Sequence, residues 1–125
     1  GALGRIGVLI TKEYGPRIRL CKVLTDMPLA EDQPDLDFIK EINKRCEICQ
    51  KCADACDFDA ISREKKPNYE LRSKSNNPGT QKWYVDVEAC YEGWVKYSSD
   101  CAKCIKACPY SKINKNLSPD EFWNL

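Results

Sequence analysis

Cys46-Glu-Ile-Cys49-Gln-Lys-Cys52-Ala-Asp-Ala-Cys56 and Cys101-Ala-Lys-Cys104-Ile-Lys-Ala-Cys108-Pro109 hold seven of the chain's nine cysteines, with Cys90 eleven residues upstream of the second run. Eight thiols gathered so tightly point to metal ligation or to a disulfide framework. Three cysteines within seven residues cannot easily all reach distant partners in bridging geometry, which disfavours disulfides. The chain contains no histidine, so mixed Cys/His sites are excluded. Cys21 is the cysteine left over and reads as a small buried apolar side chain.

The spacing C-x2-C-x2-C-x3-C is the one by which bacterial ferredoxins hold cubane iron–sulfur clusters, the fourth cysteine crossing to the other cluster. Structural zinc also takes four thiolates but prefers separate C-x2-C knuckles, and it stays the competing reading with disulfides. The two runs read as a pseudo-repeat in which each gives three ligands locally and one to its neighbour. Cys46, Cys49, Cys52 and Cys108 are then expected on one 4Fe–4S cluster. Cys56, Cys90, Cys101 and Cys104 are expected on the second. Asp57-Phe58-Asp59-Ala60-Ile61 resembles the ferredoxin continuation C-P-x-x-A-I with Asp57 in place of proline. The long gap from Cys90 to Cys101 departs from an ordinary ferredoxin.

A length of 125 residues suits one ordinary domain. Its net charge of +1 argues against a nucleic-acid partner. No apolar run approaches the roughly 18 residues of a membrane span, and no signal segment is present. The opening Gly1-Ala2-Leu3-Gly4, without an initiator methionine, reads as a cut through a longer protein. Ile6 to Ile10 and Arg17 to Leu24 read as strands about a Tyr14-Gly15-Pro16 turn. Met27-Pro28 to Gln33-Pro34 reads as an extended acidic connector. Asp35 or Asp37 is expected to cap a helix carrying Phe38, Ile39 and Ile42 into Cys46. Residues 62–80 read as an exposed insertion, and Trp83 to Val87 as a strand. Ser118-Pro119-Asp120-Glu121 is a capping box.

Several stretches together resemble the corrinoid-dependent reductive dehalogenases. They are Gly4 to Leu20, Lys22 to Leu29, Asn76-Asn77-Pro78-Gly79, Lys82 to Asp86, and the Cys90-to-Cys108 spacing. The resemblance implies an α+β fold: a two-cluster ferredoxin-like module over 35–125, preceded at 1–34 by the end of a corrinoid-binding, nitroreductase-like α/β domain. It implies a C-terminal part of an enzyme that removes halide from organohalides in anaerobic respiration, with two 4Fe–4S clusters feeding a corrinoid cobalt. It further implies an electron-donor protein or quinone-linked chain and a small membrane-anchor subunit. The place is the outer face of the cytoplasmic membrane, reached by a twin-arginine signal upstream. Arg5 falls where the family's basic active-site residue is expected; its alternative is an ordinary surface arginine. Trp83, Trp94 and Trp123 are expected to pack, and no tyrosine of the chain is promoted to proton donor. The other readings are an epoxyqueuosine reductase, which resembles G-K-N-T where this chain has Gly4-Arg5-Ile6-Gly7, and a plain electron carrier.

Overall fold

The computed structural model describes residues 1–111. The Ser118 capping box and Trp123 lie outside them. Two strands, β1 (Ala2–Leu3) and β2 (Leu9–Ile10), pair antiparallel with Ala2 opposite Ile10 and Leu3 opposite Leu9. Four helices follow: α1 (Leu36–Ile48), α2 (Lys51–Asp54), α3 (Val87–Tyr97) and α4 (Lys103–Ala107). A 3-10 turn at Pro109–Ser111 ends the described chain. None of the described helices is long and apolar enough to cross a membrane.

The apolar run Ile6–Ile10 therefore supplies only half a strand. Its first part is a turn, closed by the Gly7 N–H donating to the Gly4 carbonyl at 3.0 Å, with Gly7 at φ +73°. The second expected strand is absent. From Arg17 to Asp35 the chain is irregular and mostly exposed, with no ladder to join, so alternation alone did not make a strand. Cys21 lies in this stretch and is exposed, which corrects its reading as a buried side chain. Trp83 to Val87 forms no strand either. Lys82 and Val85 make isolated bridges to Asn68 and Ile61, and Val87 already begins α3.

Asp35 caps α1 as expected, accepting from the Phe38 N–H at 3.0 Å. The helix buries Phe38 and Ile42 and carries Cys46 in its last turn. Tyr14-Gly15-Pro16 does turn, with Thr11 and Gly15 exchanging backbone hydrogen bonds at 2.9 and 3.0 Å. Residues 62–80 are irregular and largely exposed. They are tied down by the Tyr84 hydroxyl, which donates to the Thr80 carbonyl at 2.9 Å.

Two small apolar nuclei result. One joins Ala2, Ile10, Phe38, Ile42, Cys108 and Tyr110, with Cys46 packed against it. The other joins Ile6, Cys52, Ala53 and Ile61, with Cys56, Cys104 and Ile105 against it. Residues from the start of the chain thus share a core with α1 and the second cysteine run, across the boundary expected at 34/35. Cysteines are part of both nuclei.

Helix α3 was not foreseen, and its start is well defined. Asp86 accepts from the backbone N–H groups of Glu88 and Ala89 at 3.1 and 3.0 Å. Because α3 carries Cys90, Asp86→Ala is expected to cost about 1 kcal/mol in denaturant unfolding. Asp86→Asn should recover most of it, and equal losses in both variants would remove the cap from the account.

Candidate iron–sulfur centres

Each short helix serves both cysteine groups. Cys52 lies in α2, and Cys56 follows directly after that helix's C-cap residue Ala55. Cys104 lies in α4, and Cys108 is that helix's C-cap residue. Since α2 packs on α4, the two runs are brought face to face.

Neighbouring thiols raise one another within each expected group, and one link, Cys104 on Cys108, joins the two groups. Burial pushes Cys52 up to about 12, with Cys46, Cys108 and Cys49 adding repulsion. Burial likewise pushes Cys108 up to about 12, aided by Cys46, Cys49 and Cys104 and opposed by the Tyr110 N–H. Cys46 and Cys49 are raised by burial too, although Arg5 opposes it in both. In the other group, burial raises Cys90, with Cys56 and Cys101 adding to it. Cys104 is raised by burial and by Cys90, Cys101 and Cys56. All nine cysteines are free thiols.

This donor chemistry fits an iron–sulfur core. Four crowded, desolvated thiols become thiolates only when positive charge is placed among them. A lone zinc, at Zn–S of about 2.3 Å, would draw its four sulfurs to about 4 Å of one another. Cys56, Cys90, Cys101 and Cys104 instead line a mostly apolar cavity of about 280 Å³, where a single water needs about 15 Å³.

Asp57, in the place of the usual proline, links the walls of that cavity. Its carboxylate accepts from the Tyr97 hydroxyl and the Lys103 ammonium. Those bonds, Lys103 first, hold its carboxyl below the usual range. Phe58 meets the Tyr97 ring edge-on at 5.3 Å and presses on Gly93, where a Cβ would come within 2.5 Å of the Phe58 ring. The three segments that carry Cys56, Cys90 and Cys101/Cys104 are thereby joined. Neither this network nor its partners was singled out in the sequence, where the exchange of proline for Asp57 was the available signal.

Arg5 is not at the surface: it is 1% exposed. Its backbone N–H donates to Cys46 Sγ at 3.5 Å. Its guanidinium donates to the carbonyls of Cys46, Cys49, Ser62 and Glu64 and lies 5.1 Å from the Trp83 ring centre. Trp83 is buried, as a packing residue should be, whereas Trp94 is half exposed at the rim of the second cavity.

Residues 45–112 match the family model described as a 4Fe-4S dicluster domain. The chain belongs to that family. The dicluster domain and the residues before it are also similar, over 99% of the chain, to two proteins named tetrachloroethene reductive dehalogenase. One is from Desulfitobacterium hafniense at 42% identity and one from Dehalobacter restrictus at 41%. The chain spans about a fifth of the length of each, 21%. An epoxyqueuosine reductase of Lactococcus garvieae is 29% identical over 96% of the chain, which covers 32% of that protein.

Proposed function

We propose that this chain is the electron-delivering C-terminal part of a reductive dehalogenase, holding two 4Fe–4S clusters on Cys46, Cys49, Cys52 and Cys108 and on Cys56, Cys90, Cys101 and Cys104. The observation that carries the reading is the reach of the similarity. The dicluster match begins at residue 45, while the likeness to the dehalogenases runs on through the residues before it. A plain electron carrier has no use for that leading segment, and the epoxyqueuosine reductase is the more distant relative.

In this reading the chain's own residues collect, bury and orient the clusters. Bound clusters would supply one-electron steps, and a corrinoid held by the parent protein would supply the chemistry of carbon–halogen cleavage. Overall, two electrons and one proton convert an organohalide to the reduced product and a halide ion. The exchange of ligands through α2 and α4 keeps the clusters adjacent, which suits stepwise transfer. Residues 17–34 support the assignment of the chain's start to the edge of a preceding corrinoid-binding domain. Leu20, Val23, Leu24, Met27 and Leu29 stand uncovered there, with Leu24 98% exposed, a strip that a larger body would bury. By the same resemblance the parent lies at the outer face of the cytoplasmic membrane after twin-arginine export. There it takes electrons from a donor protein or quinone-linked chain beside a small anchor subunit.

Reconstituted without oxygen, the protein is expected to bind about eight iron and eight sulfide; two zinc ions and no sulfide would end the cluster reading. The corrinoid-loaded parent, given a low-potential artificial donor, is expected to release one halide per two electrons from tetrachloroethene or another organohalide. Cluster-loaded parent that reduces an epoxide in tRNA and releases no halide would move the assignment to the second reading.

A further inference from the structure

Arg5 spends its side chain on the protein's backbone. Nε donates to the Cys46 and Cys49 carbonyls, each at 3.0 Å, and NH2 to the Cys46 carbonyl at 2.6 Å. NH1 donates to the Ser62 and Glu64 carbonyls at 2.7 and 2.8 Å. At most one guanidinium N–H is left for anything else. Cys46 is in the last turn of α1 and Cys49 is its C-cap residue. Carbonyls there lack partners within the helix and carry the negative end of its dipole, so a guanidinium caps them well.

Carbonyls accept hydrogen bonds but do not cancel a full charge. Among the described residues no carboxylate pairs with Arg5, which is buried to 1% exposure. An uncompensated charge at such a depth is costly. Negative charge available nearby is that of the cysteines: Arg5 acts on Cys46, Cys49 and Cys52, opposing the effect of their burial. Its own backbone N–H points at Cys46 Sγ. Charge and hydrogen bonds to sulfur are the levers by which a protein sets a cluster's potential.

We propose that Arg5 is the built-in counter-charge and positioning residue of the cluster on Cys46, Cys49, Cys52 and Cys108, capping the helix end that presents two of its ligands and favouring its reduced state. Reduction adds one negative charge beside a fixed positive one, so removing that positive charge makes reduction harder. The inference rests on the two-cluster reading and replaces a direct role for Arg5 at the substrate.

The test is an electron-paramagnetic-resonance redox titration of the full-length, cluster-loaded parent and its Arg5→Gln and Arg5→Lys variants, with iron counted in each. In Arg5→Gln the reduced-to-oxidised ratio of this cluster at fixed potential is expected to fall at least tenfold. That is a downward shift of about 59 mV for a one-electron couple. The other cluster is expected to shift by less than about half as much. In Arg5→Lys, which keeps the charge without the planar fork, the midpoint is expected to stay near the parent's. If Arg5→Gln instead loses this cluster and keeps the other, with iron falling from about eight to about four, the positioning role is upheld. Eight irons with both midpoints unmoved in Arg5→Gln, or both clusters lost together in the two variants, overturns the proposal. A parent without iron and sulfide would overturn the cluster reading itself, a separable outcome.

Discussion

Cys108→Ala is expected to abolish or transform the signal of the cluster on Cys46, Cys49 and Cys52 while leaving the second cluster's signal in place. Cys108 is the C-cap residue of α4, yet it shares an apolar nucleus with Ala2, Ile10 and Phe38, against which Cys46 packs, and Cys46 and Cys49 as well as Cys104 raise its thiol. Losing one of four thiolates leaves an iron without its protein ligand, and iron should fall from about eight towards four. The sharper check is spectral identity. Cys46→Ala and Cys108→Ala should alter the same resonance, and Cys56→Ala should match Cys101→Ala. If Cys108→Ala matches Cys101→Ala instead, each run keeps its own cluster and the exchange through α2 and α4 is wrong.

The second large effect is expected at a residue well before either cysteine run. Gly15 has φ +59°, and a Cβ built on it would lie 1.7 Å from the Tyr110 carbonyl oxygen and 2.5 Å from its carbon. Both are backbone atoms, so no rotamer change relieves the overlap. Left-handed strain of about 1–2 kcal/mol and overpacking of about 1–3 kcal/mol together make Gly15→Ala cost about 4 kcal/mol. Tyr110 follows Cys108 by two residues, so cluster retention should suffer as well. Gly79→Ala is the control: φ is +99° but nothing lies within 4 Å of the added carbon, and backbone strain of about 1 kcal/mol should be its whole cost. Urea unfolding and iron content measure both. Equal losses at the two glycines would rule out the close approach to Tyr110.

Chemistry that is local in sequence was the legible part. The cysteine spacing implies a cluster module, and Asp35 implies a helix start, because ligand geometry and capping each act over a few residues. Features that depend on remote partners were not legible. Arg17 to Leu24 alternates like a strand, but a strand exists only when another edge accepts it, and among the described residues none does. Cys21 sits on the same uncovered stretch, so its apolar character does not bury it. Arg5 could be singled out but not understood, since its partners lie 41 to 59 residues away. The pairing of Asp57 with Lys103 spans 46 positions and left no local trace beyond the missing proline.

The placement of Cys108 beside Cys46, Cys49 and Cys52 has a consequence for how the protein is made. Ribosomes add roughly 5–20 residues per second, so the 56 positions from Cys52 to Cys108 take about 3–11 s. Throughout that interval the nascent chain exposes a three-thiol half-site that oxidants or a stray metal could claim. Its fourth member arrives after the whole of the second group, so the group begun first can be closed only after Cys56, Cys90, Cys101 and Cys104 have all been made. Closure of the group begun first is therefore expected to wait until residue 108 has been made, and a translation pause placed between codons 56 and 101 should raise the fraction of mis-metallated product.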